Sequence, residues 1–204
     1  MKKLLLILLC LPMLFSSCKK EDESPANTNN NNSGNNTNLS IGDFHQGGII
    51  FYLDGNVGGL ICDIQDLGTA EWGCYGTVIS GADGTAIGTG YQNTVDIVNA
   101  NCSPYSTGNL IAANLCSNSI AQGFSDWFLP SKDELNQMYL NKSYINITAI
   151  ANGGSTFTDW YYWSSSEAYS GTNVDAWGQE FDDFGTIDDG NKNDADNVRS
   201  IRAF

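Results

Sequence analysis

The chain has 204 residues, of which 41% are hydrophobic, and a formal net charge of −14 at pH 7. Residues 41–204 carry twenty Asp and Glu against five Lys and Arg, a net charge of −15 for that part. Such a body repels phosphate and sulfate groups and attracts cations, which argues against nucleic acid and sulfated glycans as partners.

The N-terminus predicts an export signal with a lipid anchor. A basic start precedes an apolar run from Leu4 to Phe15, which is too short to span a bilayer. Two small residues then come directly before Cys18, a pattern that resembles a bacterial lipoprotein signal. Residues 1–17 would be removed, and acylated Cys18 would hold the protein on a membrane. An ordinary secretory signal peptide is the alternative.

Residues 18–40 predict a tether between the anchor and a folded domain. The charged residues 19–23 resemble the export tag of surface lipoproteins in Gram-negative bacteria, and a solvated spacer is the alternative. The Asn-rich remainder cannot bury enough apolar surface to offset its ordering entropy, so we expect it to be flexible. These patterns together predict a surface-exposed outer-membrane lipoprotein with one domain at residues 41–204.

The domain contains four cysteines, namely Cys62, Cys74, Cys102 and Cys116. An exported chain favours disulfides, and four cysteines allow three pairings. The nearest-neighbour pairing, Cys62–Cys74 and Cys102–Cys116, closes two short loops worth roughly 3 kcal/mol each. A zinc site is the weaker alternative, because there is no CxxC pair and the single histidine, His45, is distant in sequence.

The first half of the domain predicts a hairpin followed by two short helices. The predicted elements are strands at 49–53 and 60–64 and helices at 93–99 and 108–119. Turn-forming residues separate the two strands. The glycine-rich segment 72–90 serves tight turns, since it lacks the third glycine of a dinucleotide-binding fingerprint.

The strongest local signal lies at residues 126–135. Ser131 and Glu134 have the spacing of a capping box at the start of a helix. Pro130 ends the preceding strand and favours an extended Leu129. Apolar residues then recur at helical spacing, so this stretch predicts a buried strand end that leads into a capped helix.

A polar loop is expected after this helix, and three strands follow it. They are predicted at 160–166, 175–181 and 197–204. Short helices between strands from both ends of the chain favour an α+β fold over a parallel α/β fold.

Four ordered sequence blocks resemble one family of exported bacterial domains. They are Trp127-Phe128-Leu129-Pro130-Ser131 with Glu134-Leu135, Tyr162-Trp163-Ser164-Ser165-Ser166-Glu167, Trp177 with Phe181, and Val198-Arg199-Ser200-Ile201-Arg202-Ala203-Phe204. From about Gly47 to Phe204 they are similar to the Lcl C-terminal domain family, a domain of unknown function. The resemblance implies structural roles for Trp127, Leu129, Pro130, Ser131, Glu134, Trp163, Trp177, Arg199 and Arg202.

The resemblance implies a C-type-lectin-like fold that is also related to formylglycine-generating enzymes. Such a fold has mainly antiparallel strands, short flanking helices and long loops. It does not carry the enzyme activity over, because those enzymes bind copper through a late cysteine pair and no cysteine follows Cys116 here. The Glu-Pro-Asn and Trp-Asn-Asp triplets of calcium-dependent lectins are also absent from the sequence.

Acidic and Asn residues crowd the segment 180–196. Hard cations prefer carboxylate and carbonyl oxygens, so a weak Ca²⁺ site is a hypothesis, with a solvated acidic hairpin as the alternative. The segment is not an EF-hand, because Asp194 occupies the glycine position and Ser200 the final glutamate position. The candidate ligands are Asp182, Asp183, Asp188, Asp189, Asn191 and Asp194.

Trp72 and Trp160 are the candidates for stacking on a sugar, because both lie next to polar, glycine-rich segments. The sequence contains no nucleophile motif, so we predict no catalytic residue. The predicted function is therefore a non-catalytic binding or adhesion module for an extracellular glycan or protein. The alternatives are a secreted hydrolase with paired carboxylates such as Asp182 and Asp188, and a structural component of the envelope.

Overall fold

The computed structural model describes residues 38–106, 108–169 and 171–204. The predicted signal peptide, the lipidation residue Cys18 and residues 19–37 of the tether lie outside these ranges. Residues 38–204 form one compact unit. None of its described helices is long and apolar enough to cross a membrane.

Along the described part of the chain, four strands come first, the helices follow, and five further strands come last. The strands are β1 (Phe44–His45), β2 (Gly48–Leu53), β3 (Gly59–Cys62), β4 (Thr69–Glu71), β5 (Tyr161–Ala168), β6 (Asp175–Glu180), β7 (Ile187–Asn191), β8 (Ala195–Asn197) and β9 (Ile201–Ala203). The α-helices are α1 (Gly90–Asn99), α2 (Ala112–Ser117), α3 (Lys132–Leu140) and α4 (Lys142–Ala151), and Ala121–Gly123 forms a short 3₁₀ turn.

The strands form two sheets. The first has the order β1-β2-β3-β9, with every pair antiparallel, so the C-terminal strand lies beside the N-terminal hairpin. The second has the order β4-β8-β5-β6-β7, in which only the β5–β8 pair of the described strands is parallel. The predicted α+β class is confirmed.

Two hydrophobic clusters form the core. In the first, residues of β2 and β3 such as Phe51 pack with Leu135 of α3 and Ile145 of α4. In the second, Trp72, Ile97 and Trp163 pack with α2 and the chain before β9. The prediction that Trp72 is exposed for sugar stacking is wrong. Its indole is fully buried, and Nε1 donates to the Ser164 carbonyl at 2.8 Å.

The prediction of a polar loop after α3 is wrong, because helix α4 (Lys142–Ala151) occupies this segment. Ile145 and Ala149 lie on one side of α4 and pack in the first hydrophobic cluster. Polar residues interspersed along the helix hide this short buried stripe in the sequence. The outer side of α4 remains exposed.

The predicted capping box is present at the start of α3. Ser131 Oγ accepts from the Glu134 amide at 3.3 Å, and Glu134 Oε2 accepts from the Ser131 amide at 2.7 Å. Glu134 Oε1 also accepts from the Gly88 amide at 2.7 Å. A Cβ on Gly90 would stand 2.2 Å from Glu134 Oε2, so this close approach requires glycine. Burial raises the pKa of Glu134.

The predicted cysteine pairing is wrong. The disulfide joins Cys74, after β4, to Cys102, after α1, with the two Cα atoms 5.0 Å apart. Cys62 on β3 and Cys116 on α2 are free and buried. Burial raises the pKa of the Cys62 thiol to about 12 and that of Cys116 well above its usual value, so both stay protonated and unreactive at neutral pH.

Two buried arginines fasten the C-terminal segment to distant parts of the chain. Arg199 Nε lies 2.6 Å from Asp66 Oδ1, and its Nη2 donates to the Ser155 carbonyl at 3.0 Å. Arg202 Nη2 donates to the Gln46 carbonyl at 2.5 Å. The contacts of Arg199 with Asp66 and of Arg202 with Gln46 each span more than a hundred residues of sequence, as expected for side chains with a structural role.

Candidate functional site

A cleft of about 360 Å³ opens on one face of the second sheet. Aromatic side chains form one side and carboxylates the other. We call it the aromatic–acidic cleft, and its principal lining residues are Trp160, Tyr161, Trp163, Asp188, Asp194 and Asp196.

Glycines on two neighbouring strands of the second sheet, β6 and β7, leave the space for this cleft. In the strand register Trp163 of β5 lies beside Gly178 of β6, which lies beside Asp188 of β7. Because Gly178 has no side chain, a gap separates the aromatic residues from the carboxylate. Gly190 extends the gap along β7, and a Cβ there would stand 3.3 Å from the Trp163 ring. The two glycines and the edge of Trp163 form the floor.

The aromatic side combines one fixed ring with two that reach solvent. Trp163 is buried, and its Nε1 donates to the Ala70 carbonyl at 2.9 Å. Trp160 is 58% exposed, and its ring packs edge-on against Tyr161 with the centroids 6.4 Å apart. An exposed indole face beside polar groups suits the C–H surface of a sugar ring or a cationic group.

The carboxylates on the other side interact with one another. Burial raises the pKa of Asp196 to about 6, and the neighbouring charge of Asp194 adds to this rise. A hydrogen bond with the Trp160 side chain acts in the opposite direction. Because burial disfavours its charged form, Asp196 is the cleft carboxylate that gains most from a bound cation or hydroxyl donor.

The raised pKa of Asp196 predicts a pH-dependent stability. A carboxyl whose pKa is higher in the folded state stabilises the fold below its unfolded value and loses that contribution as pH rises through the folded value. We therefore expect this group to make the protein less stable as pH rises from about 4 to about 6. Asp196→Asn should lack this component. Urea unfolding of both proteins across this range tests it, and parallel pH profiles would contradict it.

The predicted calcium ligands are only partly brought together. Asp188, Asp189 and Asp194 line the cleft, and Asn191 follows on β7. Asp182 lies outside the lining, where its Oδ1 accepts from the amides of Phe184 and Gly185 at 2.8 and 2.9 Å. Asp183 is exposed and is also outside the cleft lining.

Within the described ranges, no three His, Cys, Asp or Glu side chains are arranged to hold a metal ion. The calcium hypothesis therefore gains no support from the geometry. The sequence reasoning missed Tyr161 and Asp196 as cleft residues. For Tyr161 the signal was the strand alternation that places it on the same face of β5 as Trp163. Asp196 was indicated only by its place in the acidic segment 180–196.

A second cleft, of about 350 Å³, lies between α1 and residues 125–128. Its walls are largely apolar and include Tyr91 and Trp127. The carboxylate of Asp126 at its rim pairs with Arg202 Nη1 at 3.3 Å. This cleft has a similar volume but fewer polar groups that could orient a ligand than the aromatic–acidic cleft has. The aromatic–acidic cleft is therefore the stronger candidate for a binding site.

A family model described as the Lcl C-terminal domain matches residues 85–202. The chain belongs to the Lcl C-terminal domain family. The match runs from just before α1 into β9 and includes the capped helix and the whole aromatic–acidic cleft. It begins after the β2–β3 hairpin, although that hairpin pairs with β9 in this Lcl C-terminal domain. No curated protein matches the chain.

Proposed function

We propose that this protein is a cell-surface lipoprotein whose Lcl C-terminal domain is a non-catalytic binding module for an extracellular glycan. The aromatic–acidic cleft is the proposed site, and the exposed face of Trp160 beside the carboxylates is the observation that carries the proposal. The lipid anchor at Cys18 and the outer-membrane location rest on the N-terminal sequence pattern. The proposed C-type-lectin-like fold rests on the family resemblance. An extracellular protein is the alternative ligand.

The chemistry of the cleft favours certain glycans. A pyranose ring could lie on Trp160 and direct its hydroxyl groups to Asp188 and Asp194, since carboxylates accept hydrogen bonds from hydroxyl donors. Sulfated and uronic-acid sugars would be repelled by the cleft and by the net charge of the domain. Neutral sugars and sugars that carry a free amine are therefore the proposed ligands.

Trp160→Ala is expected to weaken glycan binding by about 2 kcal/mol, roughly 30-fold, because a central aromatic anchor is lost. A glycan array probed with residues 38–204, with calcium and again with EDTA, measures this. Tyr169→Ala is the matched control, since Tyr169 is equally aromatic, exposed and outside the cleft lining. Equal binding by both variants would contradict the proposal.

Asp196 favours a second candidate, the carboxylate-dependent hydrolase. A carboxyl whose pKa is raised to about 6 and that lies beside a second carboxyl is the arrangement of a general acid. The pair considered from the sequence, Asp182 and Asp188, does not line one cleft. Analysis of the same glycan incubations for new reducing ends separates the two functions, since a binding module leaves the glycans intact.

A further inference from the structure

Helix α4 presents a second apolar face, which packs against neither hydrophobic cluster of the described residues. Tyr144, Ile147 and Ile150 lie on this outer side, and Leu140, the last residue of α3, is also exposed. These four side chains are 57% to 71% exposed. An exposed cluster of large apolar side chains of this kind marks a surface that can bind a partner.

The chain enters the domain beside this face. The described residues begin at Asn38, and Thr148 Oγ1 of α4 donates to the Gly42 carbonyl at 2.7 Å. The Tyr144 Cβ atom lies only 3.1 Å from where a Cβ of Gly42 would stand. The described chain therefore begins on the α4 side of the domain, and the predicted anchor residue Cys18 lies earlier in the sequence.

The charge of this region differs from that of the whole protein. The chain holds 23 Asp and Glu, but none lies between Leu140 and Thr158, where Lys142 is the one charged residue. Asp43, near the start of the described chain, accepts a hydrogen bond on its carboxylate from the Ser40 amide at 2.9 Å. An apolar helix face without carboxylates can approach a lipid surface, which the acidic remainder of the domain would resist.

We propose that the outer face of α4, defined by Tyr144, Ile147 and Ile150, docks together with Leu140 of α3 on the lipid bilayer to which Cys18 anchors the chain. The inference rests on the lipid anchor of the proposed function. Residues 19–37 can extend at most about 65 Å, so the anchor holds the domain close to the membrane. At such a high effective concentration a modest apolar face suffices for docking. Tyr144 supplies an amphipathic ring suited to the lipid–water boundary.

The test uses the full acylated protein in vesicles of phosphatidylethanolamine and phosphatidylglycerol. In one variant, Ile147→Cys, the new cysteine is labelled with an environment-sensitive fluorophore. The matched control is Ile120→Cys with the same label, because Ile120 is another highly exposed isoleucine and lies outside α4. Cys62 and Cys116 are buried and should not take the label. We expect the fluorophore at position 147 to be shielded severalfold from an aqueous quencher relative to that at position 120. Adding Ile150→Asp to the labelled Ile147→Cys protein should abolish the difference.

Vesicle flotation reports the anchor separately. Protein that floats but shows equal quenching at both positions would overturn the docking surface and leave the anchor intact. Protein that does not float would overturn both the anchor and the docking. Shielding of position 147 that rises with protein concentration in an unacylated Cys18→Ser chain would assign the face to a second copy and overturn the lipid proposal.

Discussion

Lys192→Met is expected to lower the free energy of unfolding by about 3–5 kcal/mol, because it leaves a buried carboxylate without its cation. Lys192 is fully buried, and its ammonium forms an ion pair with Glu167 Oε1. The same ammonium donates to the Thr77 carbonyl at 2.8 Å and lies 4.8 Å from the centre of the Trp72 ring. Glu167 Oε2 accepts from the Ile79 amide at 2.9 Å, so the pair also holds the glycine-rich loop.

Chemical denaturation of a small set of variants tests this prediction. Lys192→Met combined with Glu167→Gln should lose less stability than the sum of the two single changes, because neither partner is then left charged and unpaired. Lys132→Met, at a partly exposed lysine on α3, is the control and should cost within about 1 kcal/mol. A loss below about 1 kcal/mol for Lys192→Met would show that Glu167 does not depend on this cation.

Glu134→Ala is expected to cost about 3 kcal/mol or more, because several buried backbone donors lose their acceptor together. The carboxylate accepts from the amides of Gly88 and Ser131, each at 2.7 Å, and also from Gly90. These bonds join the start of α3 to the turn that leads into α1. The loss should therefore loosen both helices and not only the end of α3.

Thermal unfolding and hydrogen exchange measure the Glu134 effect. Asp133→Ala is the control, because Asp133 is also in the first turn of α3 but is exposed, and its contribution to the helix dipole is worth less than about 1 kcal/mol. Glu134→Gln should fall between the two, since its amide retains one acceptor oxygen. Equal stability of the Asp133 and Glu134 alanine variants would contradict the predicted role.

Several features follow from residues close together in sequence. The capping box of Ser131 and Glu134 needs only a three-residue spacing, so the sequence predicted it correctly. The strands of the hairpin were also predicted, because continuous apolar runs indicate strands directly. The C-terminal strand was predicted at 197–204, but β9 is confined to Ile201–Ala203. The family was indicated by blocks from the capped helix to the last strand, and the match over residues 85–202 confirms it.

Other features depend on contacts between distant residues, which local patterns do not contain. The Cys74–Cys102 bond forms because the ends of β4 and α1 meet, whereas the sequence could rank pairings only by loop length. Lys192 lies in the acidic segment 180–196, and its burial requires the ion pair with Glu167 of β5, which is distant in sequence. Both outcomes were set by tertiary packing.

The sequence by itself determined the α+β class, the capped helix, the family and the acidity that limits the choice of partner. Tertiary structure alone decided which tryptophan reaches solvent, which carboxylates share a cleft with it, and that α4 leaves an apolar face beside the entry of the chain. The physical reason is that periodicity and capping are short-range properties of the backbone. A cleft and a docking face instead arise where strands and helices distant in sequence leave space or surface unfilled.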